Sequence, residues 1–105
     1  QIVSPTYAKD LAEATLKLVD KKSSSGIYHL VNEGRCSWAE FADQISKNSG
    51  NNTKIIPINR KGASGGARRP LYSALSNTKA KQLGIVLPSW KDGLKNYIEF
   101  LAQEI

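Results

Sequence analysis

The stretch Gly26–Ala42, G-I-Y-H-L-V-N-E-G-R-C-S-W-A-E-F-A, decides the fold class. Its first part, Ile27–Val31, is rich in β-branched and aromatic side chains and reads as a short strand. Its second part holds Ser37-Trp38-Ala39-Glu40, a capping box. The serine oxygen takes the amide hydrogen at the third helical position, and the glutamate reaches back to the serine amide. A helix follows to about Asn48, with Phe41, Ala42 and Ile45 inward and Gly50 as its stop. Thr53–Ile58 then reads as a second strand. Strand, helix and strand with a short crossover predict a parallel pair in one small sheet.

Upstream of this unit, a first helix is expected after Thr6, whose hydroxyl can cap it, running to about Lys21. Ala8, Leu11, Ala12, Thr15, Leu18 and Val19 recur at helical spacing as its buried stripe, and Ser23-Ser24-Ser25-Gly26 ends the pattern. Downstream, Ser76 can cap a short helix from Asn77 to Leu83 that Gly84 terminates. Ser89-Trp90-Lys91-Asp92 is a second capping-box-like start, and the helix behind it puts Leu94, Tyr97, Ile98 and Leu101 on one face. The expected class is α/β, a small lobe with a short, mainly parallel sheet packed by about four helices.

A chain of 105 residues bounds the molecule to one domain with a modest core. With 40% hydrophobic and 23% charged residues, the composition is that of an ordinary globular chain. The net charge of +6 suits a polyanion partner, yet the cations are spread along the chain without interleaved aromatics, which argues against nucleic acid. Cys36 is the sole cysteine, so no internal disulfide forms, and a reducing, cytoplasmic home is expected. No apolar run approaches the ~18 residues of a membrane span, and none resembles a signal peptide. Asn51-Asn52-Thr53 matches a glycosylation sequon that nothing else in the sequence supports. The first residues, Gln1-Ile2-Val3, lack a methionine, which fits a fragment or a processed chain.

Arg60–Pro70, R-K-G-A-S-G-G-A-R-R-P, concentrates the positive charge. Its glycines and proline exclude a helix or a central strand, so it reads as a long loop, mobile without ligand. Loops of this length in a compact domain are often functional. The planar arginine fork suits phosphate and carboxylate oxygens, so the loop is either an anion-binding lid or a solvated basic linker. Arg68 and Arg69 precede Pro70, which holds Arg69 extended and makes this pair the leading ligand contact.

Enzymatic machinery is scarce. Gly62, Gly65 and Gly66 lack the spacing of a dinucleotide fingerprint, and no P-loop lysine motif is present. His29, the single histidine, reads as a packed strand residue rather than a catalytic one. Cys36 precedes a helix start, where a thiolate would gain from the dipole, but burial is the simpler reading. Ser4-Pro5-Thr6 lies at the mouth of the first helix, whose amides can hold an acceptor-rich ligand or can simply be capped. Trp38 and Trp90, each beside a capping serine, read as packing residues. No catalytic, cofactor-binding or metal-binding residue is identified.

These words in this order resemble the C-terminal substrate-binding domain of the dTDP-4-dehydrorhamnose reductase family, a branch of the extended short-chain dehydrogenase/reductases. The matching runs are Ser4–Ala12, Gly26–Ala42, Ile56–Ile58, Ala67–Lys79, Leu83–Trp90 and the final helix. The resemblance implies that residues 1–105 are one nucleotide-sugar-binding lobe, normally appended to an N-terminal Rossmann domain missing from this chain. That missing part would carry the glycine fingerprint, a catalytic Tyr-x-x-x-Lys and the NADPH or NADH, with Mg2+ a further cofactor candidate of the intact enzyme. None of the tyrosines here has a lysine four residues on. The intact enzyme would reduce the 4-keto group of dTDP-6-deoxy-L-lyxo-4-hexulose to give dTDP-L-rhamnose, and homodimers are possible for it. The implied partner is thus a dTDP-linked 4-keto-6-deoxy sugar, with no nucleic acid and no membrane. On this reading Arg69 and Arg68 meet the diphosphate, and Thr6 and Pro5 complete the substrate contacts. Arg60 and Lys61 become solvated bystanders. Asp10 fixes its helix.

The sequence departs from the family at Val3, where glycine is usual, and at Ser76, where aspartate is usual. Two other classes compete: a non-catalytic regulatory or interaction subunit of the same fold, and a basic anion- or nucleic-acid-binding module.

Overall fold

In a computed structural model of the chain, Ser37 caps its helix as the local sequence requires. Ser37 Oγ accepts the Glu40 amide at 3.1 Å, and Glu40 Oε1 accepts the Ser37 amide at 3.0 Å. The structure describes residues 1–21, 25–50, 54–58 and 68–103. Along them run β1 (Ile2–Val3), α1 (Ala8–Asp20), β2 (Cys36–Ser37), α2 (Trp38–Asn48), α3 (Thr78–Lys81) and α4 (Trp90–Gln103).

The fold is α/β with four helices, but its sheet departs from expectation. The sheet among the described residues is antiparallel: β1 pairs with β2 in the register Ile2↔Ser37 and Val3↔Cys36. Parallel pairing is confined to isolated bridges, Ile2↔Tyr72 and Glu33↔Ser89. Neither Ile27–Val31 nor the described part of Thr53–Ile58 is a strand. The reason is where the backbone groups go. Val31 gives its amide to Asn77 Oδ1 at 2.9 Å, and its carbonyl accepts from Asn77 Nδ2 at 2.6 Å. The Asn32 amide goes to the Thr6 hydroxyl, and the Glu33 amide goes to the Pro88 carbonyl. At Val31 and Asn32, then, side chains take the place of ladder partners, and Glu33 pairs through its bridge to Ser89. Ile27 is 77% exposed and His29 is exposed as well, so the packed strand histidine is not found.

Burial of α1 also differs from the predicted stripe. Asp10 and Ala14 are buried with Leu18 beside them, whereas Leu11 is partly exposed and Val19 is 72% exposed. Periodicity counts apolar side chains only. Asp10 turns inward because Asn32 Nδ2 meets its carboxylate at 3.0 Å, which removes much of the cost of burying it. Thr6 is not the cap either: Tyr7 holds the N-cap position, and the Thr6 hydroxyl donates to the Ser4 carbonyl.

The core forms two small clusters. One joins α1 to α3 and the segment behind it through Ala14, Ala80, Ile85 and Leu87. The other joins β2, α2 and α4 through Cys36, Trp90 and Leu94, with Phe41 and Ile98 against them. Ile45, expected inward, is 38% exposed, and Gly50 stops α2 at φ +77°. The Ser76 hydroxyl accepts the Thr78 amide, and α3 is shorter than predicted, its N-cap residue Asn77 turned instead to Val31. Ser89 Oγ takes the Asp92 amide at the start of α4.

Candidate functional site

Where α1 meets α4, the chain builds an apolar groove on a polar floor. The floor is Asn32, 1% exposed. Asn32 Oδ1 accepts the Tyr7 amide at 2.7 Å, and its Nδ2 donates to Asp10 Oδ2 and to the Pro88 carbonyl. This one side chain therefore fixes the entry to α1, the helix itself and the segment leading into α4. Gly93 lets α4 come this close: a Cβ there would lie 2.7 Å from Asn32 Oδ1 and 3.1 Å from Asp10 Oδ2.

Above the floor lies a groove of about 240 Å³. Pro5, Thr6, Phe41, Trp90, Leu94 and Tyr97 are among its walls. The Tyr7 and Tyr97 rings meet at 5.5 Å, and Phe41 meets Trp90 at 6.1 Å. Among the described residues, no charged side chain lines it. Such a surface suits an uncharged ring, a base or a deoxysugar, better than a phosphate. Pro5 and Thr6 both stand in the wall of this groove. The Tyr7 amide, just before the helix, is taken by Asn32.

A second, polar cleft of about 360 Å³ is lined by Glu33, Arg35, Tyr72, Ser76, Asn77 and Lys81. Glu33 is offset within it: Asn77 Nδ2 reaches Oε1 at 2.8 Å and Lys81 Nζ reaches Oε2 at 3.0 Å. The Asn77 hydrogen bond first, and Lys81 after it, hold the Glu33 carboxyl below the usual range despite some burial. Arg35 Nη1 donates to the Tyr72 hydroxyl at 2.9 Å, and the guanidinium lies 5.8 Å from that ring's centre.

Arg68 and Arg69, the leading pair from the sequence, are exposed and line neither the groove nor the cleft. Arg60–Ala67, the rest of that loop, lies outside the described residues, as do Ser23, Ser24 and the Asn51–Thr53 sequon. Cys36 is buried, and burial, then the nearby Glu40 carboxylate, pushes its thiol up, away from a reactive thiolate. Trp90 packs in the core, whereas Trp38 is 49% exposed with its edge on Phe41. Sequence reasoning missed Asn32, Asn77 and Arg35. The first two carried no local signal, because their partners lie 22 to 56 residues away.

The residues present do not fit a dinucleotide or a divalent metal. Among the described residues, the strand that runs straight into a helix is β2 into α2, and Trp38 and Glu40 occupy the first turn where a pyrophosphate needs glycine. No described group of three or more His, Cys, Asp or Glu side chains converges to hold a metal ion. No described helix is long and apolar enough to cross a membrane.

Against known proteins, the sequence model of the RmlD substrate binding domain matches residues 1–103. The spore coat polysaccharide biosynthesis protein SpsK of Bacillus subtilis is 42% identical over 99 residues, covering 94% of this chain and 34% of that protein. A dTDP-4-dehydrorhamnose reductase of Escherichia coli is 32% identical over 112 residues, covering 96% of this chain and 37% of its own. Among solved structures, a dTDP-4-dehydrorhamnose reductase of Clostridium acetobutylicum superposes with a TM-score of 0.89 at 35% identity, over 97% of this chain and 36% of that one. The Bacillus anthracis reductase, solved in complex with NADP, gives 0.78 at 36% identity, over 94% and 35%. The chain spans about a third of the length of the curated relatives it matches.

Proposed function

Because the chain belongs to the RmlD substrate binding domain family, we propose that it is the C-terminal, sugar-nucleotide-binding lobe of a cytoplasmic dTDP-4-dehydrorhamnose reductase. The observation that carries this reading is the groove itself: Pro5 and Thr6 stand in the wall of an uncharged aromatic recess at the entry to α1. That recess would hold the thymine or the 6-deoxy ring of a dTDP-linked 4-keto-6-deoxy sugar. Arg69, with Arg68 beside it, would meet the diphosphate from the exposed segment before Pro70. The reductase reduces the 4-keto group of dTDP-6-deoxy-L-lyxo-4-hexulose, and NADPH or NADH supplies the hydride from the N-terminal dinucleotide-binding domain. The NADP held by the Bacillus anthracis relative supports that cofactor class. A homodimer of the intact enzyme belongs to the same reading, and nucleic acid and membrane have no part in it. The likeness to the spore coat protein favours a surface polysaccharide as the destination of the sugar.

This lobe binds and orients; it supplies no acid, base or nucleophile of its own. The chain by itself is therefore expected to have no oxidoreductase activity and weak affinity for dTDP-sugars, since each charge-assisted contact made elsewhere is worth about 1.5–3 kcal/mol. In the full-length reductase, Arg69→Ala should raise KM for the dTDP-sugar about tenfold with kcat nearly unchanged. An unchanged KM overturns the assignment of Arg69.

A further inference from the structure

The groove has no charge to offer a diphosphate, but the neighbouring cleft does. We propose that Arg35 and Tyr72 form a phosphate-binding subsite there, so that the ring of the ligand lies in the recess lined by Asn32 and its phosphates in the cleft lined by Glu33. The inference rests on the sugar-nucleotide reading and adds to it a contact that neither composition nor motif suggested.

The charges decide it. Of the three charged side chains that line the cleft among the described residues, Glu33 and Lys81 neutralise each other at 3.0 Å. Arg35 is left as the uncompensated charge. Its Nη1 is committed to the Tyr72 hydroxyl at 2.9 Å, and its other N–H donors meet no acceptor among the described residues. Tyr72 accepts that bond, so its own O–H proton remains to donate. A guanidinium fork and a phenol hydroxyl side by side form a donor set for the oxygens of a phosphate.

The scaffold fixes the pair before any ligand arrives. Arg35 directly precedes β2, which pairs with β1, and Ile2 of β1 bridges to Tyr72. Ile2 donates to the Leu71 carbonyl at 2.7 Å and accepts from the Ser73 amide at 2.8 Å, so Tyr72 is clamped on both sides. The guanidinium carbon lies 5.8 Å from the centre of that ring, beside its hydroxyl. An anion therefore meets a preorganised side chain rather than a free one, at lower entropic cost.

The test is a nitrogen-proton NMR titration of the full chain with pyrophosphate, thymidine, dTDP and acetate at matched ionic strength. Pyrophosphate and dTDP should shift the Arg35 side-chain N–H and the Tyr72 amide saturably, while thymidine should move the Trp90 indole of the groove instead. Arg35→Gln should weaken pyrophosphate and dTDP about threefold to tenfold, the charge-assisted contact being discounted for exposure. Tyr72→Phe should weaken them less, because it keeps the ring and removes only the hydroxyl. Both residues are exposed, so these variants should fold, which unchanged amide dispersion would confirm. The proposal is overturned if Arg35 stays still with pyrophosphate, if Arg35→Gln binds as tightly as the parent, or if acetate produces equal shifts. Should Arg35 respond to pyrophosphate while neither thymidine nor dTDP moves the groove, the subsite stands and the sugar-nucleotide reading fails. Should the groove respond and Arg35 not, the converse holds.

Discussion

The groove and the cleft are lined by consecutive residues, Asn32 and Glu33, and use their polar groups in opposite ways. Under the groove, Asn32 spends its side chain inside the protein, tying Tyr7, Asp10 and Pro88 together, so the groove presents mainly apolar surface. In the cleft, Asn77 and Glu33 are likewise spent, but Arg35 keeps donors in reserve. Stability and recognition are thus divided between neighbouring side chains. The buried Asn77 amide takes the place of a strand partner at Val31, and an exposed guanidinium awaits an anion. The division holds only if damage to the amides falls on folding, and damage to the arginine on binding.

The largest blow to that division should come from Asn77→Ala. It strands both the amide and the carbonyl of Val31 in a buried position, and an unmet buried group costs about 1–3 kcal/mol. A loss of about 3 kcal/mol in urea denaturation is expected. A loss under about 1 kcal/mol would mean that water or a neighbour replaces the asparagine, and that it is not a strand substitute.

Next comes Gly93→Ala. In an ordinary helix interior this change stabilises by about 1 kcal/mol. Here the added Cβ would sit 2.7 Å from Asn32 Oδ1, so we expect a loss of about 2 kcal/mol instead. Repeating it on an Asn32→Ala background removes the nearest obstacle, and the same substitution should then cost little. Equal penalties in both backgrounds would separate Gly93 from the Asn32 floor. A smaller effect, about 1 kcal/mol, is expected for Ser37→Ala, which breaks the capping box of α2 without touching either site.

That capping box could be read directly from Ser37 and Glu40 because both partners lie within one helical turn. The start of α4 at Ser89 and the stop at Gly50 were legible for the same reason. The groove was half legible, since Ser4-Pro5-Thr6 marks a helix entry while Asn32, 25 residues from Tyr7, marks nothing by itself. The parallel sheet failed on the same ground. Ile27–Val31 has the composition of a strand, but composition cannot say whether its partner is another strand or the side chain of Asn77. Asp10 misled the stripe of α1 because an acidic residue reads as solvent-facing until a buried amide is known to meet it.

The smallest expected effect tests whether the cleft's internal neutralisation depends on Lys81 or on Asn77. The folded Glu33 carboxyl titrates below its ordinary value of 4.5, so the group stabilises the fold above the unfolded pKa, and that contribution fades as pH falls through the folded one. The Asn77 hydrogen bond is the larger cause and the Lys81 ammonium the lesser. Lys81→Met should therefore move the Glu33 titration, followed by carbon-13 NMR of its carboxyl, only part of the way back toward the unfolded value. A site-resolved probe is needed because Glu40, held low by its hydrogen bonds with Ser37, titrates in the same acid window. A full return in Lys81→Met would make the ion pair the dominant partner. Glu33 would then present its charge whenever an arriving phosphate drew Lys81 away, and the cleft would repel the ligand that Arg35 is placed to hold.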